Sequence, residues 1–289
     1  MVKSILGIIG GSGVYDIAID NARWSHVASP WGEASDQVRR GQIHGLDVVF
    51  LPRHGRGHVF SPSSINYRAN IDVLKRCGVT DLFSLSAVGS LRAELPPGTF
   101  VLQDQFIDKT YKRETSFFGT GCVAHVPFAE PVSFELARLA VAALSAENIA
   151  QKRGGTLVVM EGPQFSTRAE SELHRVWGAD LIGMTALPEA KLAREAEMNY
   201  CTVAMVTDLD AWAPDHDAVD VGQVVRTMKA NVELAKRFVL RLAQSFPKEH
   251  VAGVADRALD HAIMTAPEKR DPQLIAKLDA VAGRVISGP

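Results

Sequence analysis

The feature that most constrains this chain is a rhythm of short apolar runs. ILGIIG from Ile5, VVFLP from Val48, LFSLSAVG from Leu82, TFVLQ from Thr99, TLVVM from Thr156 and CTVAMVTD from Cys201 alternate with stretches of helical pattern. Runs that are apolar throughout, rather than at every second position, fit strands covered on both faces. The rhythm therefore predicts a three-layer α/β fold, a mixed central sheet with helices on each side. With 289 residues, 46% of them hydrophobic, the chain can bury a substantial core.

Several helix boundaries can be read directly. Ser61-Pro62 sets a proline at a first helical position and opens a helix that ends at Gly78. TRAE, Thr167 to Glu170, has the spacing of a capping box and opens another that stops near Gly178. Pro188 begins a third. From Val219 to Ala243 the residues Val221, Val224, Val225, Met228, Val232 and Ala235 recur at helical spacing and predict a long amphipathic helix. One domain is expected over residues 1–289, with residues 247–289 as a C-terminal helical arm packed on it or on a neighbouring subunit.

Charge narrows the function classes. Lys and Arg number 31 against 33 Asp and Glu, a net charge of -2, so no bulk field draws the chain to nucleic acid or to anionic membranes. The start MVKSILGIIGGSG has an apolar run too short to span a bilayer and runs into a glycine turn instead of a cleavage site, which points to a cytoplasmic protein. Cys77, Cys122 and Cys201 are scattered and lack a CxxC pair, so they read as buried small residues.

Four strand ends carry candidate chemistry. Gly10 to Gly13 let backbone N–H groups and the Ser12 hydroxyl approach an anion, although a plain tight turn reads equally well. PRHGRGH delivers Arg53, His54, Arg56 and His58; the glycines disfavour a helical His pair and the arginines repel a metal, so an anion is the better guest. SLSAVGS at Ser84 to Ser90 adds hydroxyls and backbone amides at another strand end. Asp208 and Asp210 close the fourth. Ligands of doubly covered sheets bind beyond the carboxyl ends of strands, so these segments are expected to converge. The acids could then clamp Mg²⁺ or act on an uncharged part of the substrate.

IIGGSG, PRHGRGH, INYRANI, FIDKT, HVPFAEP, EGPQFSTRAES, WGADLIGMTALPEAKLARE and VTDLDAW occur in that order, and together they resemble the 5'-methylthioadenosine phosphorylases, a branch of the trimeric purine nucleoside phosphorylase family. The resemblance implies the nucleoside phosphorylase fold, a homotrimer, and a reaction without metal or cofactor. Inorganic phosphate, a co-substrate, attacks the anomeric carbon of the nucleoside and releases the free base, a step of purine and methionine salvage. Mapped onto this chain, the phosphate subsite comprises Ser12, Arg53, His54, Ser86, the backbone at Ala87, and Thr185. Ribose lies over Met184, and Phe165 packs on base or sugar. Asp208 protonates purine N7 and Asp210 accepts from the exocyclic amino group. Val221, Val224 and Val225 wall the methylthio group, with His125 lent by a neighbouring subunit.

The chemistry gives these acids a purpose. Glycosidic cleavage develops oxocarbenium character, so the departing purine must be neutralised while the nucleophile is held on the opposite face. Burial beside a second acid would raise the Asp208 pKa and let it donate near neutral pH. Aspartate also favours adenine, because a carboxylate facing the 6-oxo group would oppose two acceptors. Family members that act on 6-oxopurines carry Asn at the position of Asp208. Gly183 stands where many adenine-specific members carry Asn, which keeps a 6-oxopurine or methylthioinosine phosphorylase as an alternative. A non-catalytic nucleoside-binding protein is a remoter one. APDHDAVD, Ala213 to Asp220, is expected to close over the base.

Overall fold

The computed structural model describes residues 2–11, 13–213 and 221–286, with the side chains of Val221 and Gln223 left out. In chain order the elements are β1 (Ile5–Gly10), β2 (Asp20–Ser25), β3 (Val38–Ile43), β4 (Leu46–Pro52), α1 (Tyr67–Arg76), β5 (Asp81–Ser90), β6 (Phe100–Leu102), β7 (Gln105–Lys109) and α2 (Phe134–Ala146). There follow β8 (Gln151–Arg153), β9 (Thr156–Met160), α3 (Arg168–Val176), β10 (Leu181–Gly183), α4 (Ala186–Glu195), β11 (Asn199–Asp208), α5 (Val221–Ser245), α6 (Pro272–Lys277) and α7 (Asp279–Ile286).

Alternation along the central strands builds the three layers. In β1, Leu6 and Ile8 enter one core and Ile9 the other; in β4, Val48 and Phe50 oppose Val49 and Leu51; in β11, Val203 and Met205 oppose Ala204 and Val206. One core is closed by α2 and α5, whose Leu136, Ala140, Phe238 and Leu242 are buried in it. The other is closed by α1, α4 and the tail, through Ile71, Leu74, Ala190, Leu192, Leu278 and Val281. The sheet is mixed. β4, β1, β5 and β11 run parallel, as do β10, β9 and β7, whereas β10 meets β5 antiparallel.

The helix starts follow the sequence with one correction. The Thr167 capping box is present: Glu170 N–H donates to Thr167 Oγ1 at 3.2 Å and Thr167 N–H to the Glu170 carboxylate at 2.8 Å. Regular α4 begins at Pro188, since Leu187 lies outside helical φ/ψ. The helix expected from Ser61-Pro62 instead begins at Tyr67. Residues 61–64 close a turn, Ser64 N–H donating to Ser61 O, and Asn66 is the N-cap, its side chain accepting from Ala69 N–H. β2, β3, β7, β8 and β10 were not among the strands anticipated. They are short or polar, like DNARWS in β2 and VRRGQI in β3, and take their conformation from the ladder beside them.

The tail is tied down by charge as well as by apolar burial. His250 lies with Nδ1 3.0 Å from Asp81 Oδ2 and Nε2 2.5 Å from Asp256 Oδ1, bracketed by two carboxylates at the start of β5. Hydrogen bonds to Asp256 and then Asp81 outweigh burial and lift the His250 pKa to about 10. A pKa raised above the unfolded value of 6.5 gives stabilisation that is complete below about pH 6.5 and disappears as pH rises through about 10. His250→Gln is therefore expected to lower stability by roughly 1.5–3 kcal/mol at pH 6. Urea denaturation across the pH range should show that gap closing toward pH 10; a gap independent of pH would refute the charged bracket.

Candidate active site

A fork in the sheet creates the site. β1 ends at Gly10 opposite Leu85, and β10 joins the same edge of β5 only at Gly89. Residues 86–88 therefore have no strand on that edge, while β11 still covers the other. The Leu85 carbonyl accepts from Arg53 Nη1 at 2.9 Å on the open side, so alternation turns the N–H and C=O of Ala87 into the gap. Ala87 is exposed there and lines a cavity of about 510 Å³. Ser86 Oγ and Thr185 Oγ1 stand 3.2 Å apart in its wall, Thr185 directly preceding α4. Two hydroxyls and the Ala87 strand amide make an anion cradle.

Arg53 and His54 follow β4 into this cradle. Arg53 is 1% exposed, and its guanidinium is largely committed: Nε donates to Glu189 at 2.9 Å, and Nη2 to Ser84 Oγ at 2.7 Å and to Glu189 at 3.2 Å. The Tyr200 hydroxyl donates to the same Glu189 carboxylate at 3.1 Å. With one Nη1 hydrogen on Leu85 O, the other has no protein acceptor among the described residues. The His54 ring stacks on that of His58 with centroids 4.3 Å apart and donates from Nδ1 to Phe60 O at 2.8 Å. Burial, then the Arg53 charge, lower its pKa to about 4.

The other end of the cavity holds the acids. Asp208 ends β11, and Thr207 Oγ1 and Asp210 N–H donate to its carboxylate at 2.8 and 2.9 Å. Burial outweighs these bonds and, with the charge of Asp210, raises the Asp208 pKa above the ordinary carboxylate range. Gly89 makes room for it, since a Cβ there would stand 3.0 Å from Asp208 Oδ1. Asp210 is buried, and its Oδ2 accepts from no described residue. Phe165, about half exposed, and Met184 line the cavity between the two ends. Gly162, at φ +67°, leaves the place of a Cβ to the Met184 thioether, whose sulfur would lie 2.6 Å away. From α5, Val224, Met228 and Val232 form an apolar stripe that lines the cavity, as does Val14.

The profile of the Phosphorylase superfamily matches residues 5–244. The chain belongs to that superfamily. It is 62% identical to the S-methyl-5'-thioadenosine phosphorylase of Bradyrhizobium diazoefficiens, over the full length of both chains. A methylthioadenosine phosphorylase from an antarctic soil metagenomic library superposes with a TM-score of 0.91 at 41% identity, covering 97% of this chain and 99% of that one. The methylthioadenosine phosphorylase of Schistosoma mansoni in complex with adenine gives a TM-score of 0.78 at 35% identity, covering 83% and 91%.

Within this phosphorylase superfamily member, Arg53, His54, Ser86, Ala87, Phe165, Met184, Thr185, Asp208, Asp210 and Val224 all line one cavity. Ser12 lies outside the described residues, as do residues 214–220 of the expected lid and the Val221 side chain. Val225 is 37% exposed and does not line this cavity, one residue along a helix turning the side chain by about 100° from Val224. Met228 and Val232, one and two turns beyond Val224, take its place; the i, i+4, i+8 spacing carried that signal. His125 is exposed, its N–H bonded to Ala262 O, and does not line the cavity of its own chain. Glu189 and Tyr200 were missed, since no local pattern announces the partners of a buried guanidinium. Glu189→Ala should strand the Arg53 charge and destabilise the fold by about 3–5 kcal/mol; denaturant unfolding that shifts by less than about 1 kcal/mol would show the pair to be dispensable.

Proposed function

We propose that this chain catalyses phosphorolysis of 5'-methylthioadenosine to adenine and 5-methylthioribose 1-phosphate, as a pentosyltransferase. The observation that carries this reading is one cavity with an anion cradle at one end and an acid of raised pKa at the other. Phosphate held by Arg53, His54, Ser86, Thr185 and the Ala87 N–H, with Ser12, attacks the anomeric carbon. Asp208 passes its proton to purine N7 as the glycosidic bond breaks, and the unpaired Asp210 Oδ2 accepts from the exocyclic amino group. The Val224, Met228 and Val232 stripe suits a methylthio group and offers a 5'-hydroxyl no partner. The place of His125, away from its own cavity, supports a role in a neighbouring subunit's site and hence a homotrimer. Leu259, Leu278 and Val281, buried in the same core as α1 and α4, support one domain with residues 247–289 as its arm. No described helix is long and apolar enough to cross a membrane.

A second reading, phosphorolysis of 6-oxopurine nucleosides, is favoured by Gly183, which lines the cavity where adenine-specific members carry Asn. Comparing kcat/KM for methylthioadenosine, methylthioinosine, adenosine and inosine with phosphate separates the two. Methylthioadenosine should lead and adenosine trail; a wild-type preference for inosine would overturn the adenine reading. Asp208→Asn should cost roughly 10²- to 10⁴-fold in kcat on methylthioadenosine. Because the protonated acid is the working form, kcat should fall as pH rises through its elevated pKa. A flat profile in alkaline buffers would remove Asp208 as the proton donor.

A further inference from the structure

Arg113 stands behind the cavity wall and does not line it. It lies in the irregular segment that follows β7, with its side chain 1% exposed, and its donors go to main-chain carbonyls. Nη1 donates to Met184 O and to Leu187 O, each at 2.6 Å, with the Tyr67 hydroxyl 3.3 Å away. Nη2 donates to Glu161 O at 2.9 Å and to Met160 O at 3.4 Å. Nε stands 3.5 Å from the Glu161 carboxylate, which also accepts from Ser63 Oγ and, at 2.7 Å, from the Tyr111 N–H.

These carbonyls belong to two segments that line the middle of the cavity. Met160 ends β9 and Glu161 follows it toward Phe165, while Met184 and Leu187 flank the turn from β10 into α4. That turn has little hold of its own: Thr185 is the N-cap of α4 by position, but its side chain caps nothing and meets Ser86 instead, and Leu187 is outside helical φ/ψ. The base end is held separately, since Asp208 takes its hydrogen bonds from Thr207 Oγ1 and the Asp210 N–H. We infer that Arg113 is a positioning residue: by bridging the end of β9 to the β10–α4 turn it fixes Phe165 and Met184 in relation to the acids, without touching substrate. This rests on the reading of the cavity as a site of phosphorolysis, with the sugar between those two residues. Lysine would keep the charge, but its single ammonium cannot span four carbonyls on two segments. Misplacing a reacting sugar by about 1 Å lowers the rate by on the order of 10²-fold.

Three variants of the full chain test this: Arg113→Lys, Arg113→Met, and the double variant Arg113→Met with Glu161→Gln, which neutralises the carboxylate that Arg113→Met strands. The measurements are kcat and KM for methylthioadenosine with phosphate, adenine affinity by calorimetry, and urea unfolding. Arg113→Lys should lower kcat roughly ten- to hundredfold, while adenine affinity changes by less than about threefold because its acids are held from β11. The double variant should regain the unfolding midpoint that Arg113→Met loses, and none of the kcat. Should Arg113→Met not fold, the lysine variant decides by the same split between kcat and adenine affinity. A lysine variant with kcat within about threefold of wild type, adenine affinity falling in step with kcat, or kcat returning with stability in the double variant would overturn the inference. Any of these, found beside a wild type that turns over methylthioadenosine, leaves the proposed function standing. A wild type that turns over no nucleoside removes the proposed function and this inference with it.

Discussion

The guanidinium of Arg53 is the knot on which the site depends. From the end of β4 it reaches Leu85 O and Ser84 Oγ on β5 and the Glu189 carboxylate in α4, all out of water. Removing such a charge from solvent is costly, and it is stable here because nearly every donor finds an acceptor. The same bonds set the end of β4, the middle of β5 and the first turn of α4 in fixed relation. Those segments form the anion cradle.

Neighbouring strands explain why the cavity lies at this point. β1 stops opposite Leu85 and β10 meets β5 only at Gly89, so among the described strands residues 86–88 of β5 are paired on the β11 edge alone. Burial then acts on the two titratable groups in opposite senses. Taking charge out of water raises the pKa of Asp208 above the ordinary carboxylate range and lowers that of His54 to about 4. The raised pKa suits the acid at one end to proton donation, and the imidazole at the other end is neutral near neutral pH. Phosphorolysis of a purine nucleoside asks for a donor at the base and an ordered nucleophile across the sugar from it.

Much of this was legible in the residues. The capping box at Thr167 and the periodic stripe of α5 are local signals, set by bonds within a few residues, and both are found where the sequence puts them. Arg53 after β4 and Asp208 at the end of β11 meet Ser86, which lies within β5 where β1 has already ended, around one cavity. Tertiary contact decided other points. α1 starts at Tyr67, although Pro62 offered an earlier start, because its cap Asn66 is held by a long-range bond to Trp31 O. β2 and β3 lack an apolar run and are strands because β4 offers them a ladder. Val225 and Val224 looked alike in the sequence, and only the packing of α5 on α2 and β11 decides which of them lines the cavity.

By itself the sequence determined the layered α/β class, the caps, and the residue types that phosphorolysis needs, because hydrophobic period, capping and side-chain chemistry are properties of short segments. The tertiary structure alone decided which groups meet and in what protonation state. Arg53 and Glu189 are 136 positions apart, and no local pattern pairs them. The proton on His54 was settled by the carbonyl of Phe60 and by exclusion of water, and neither exists until the chain is folded.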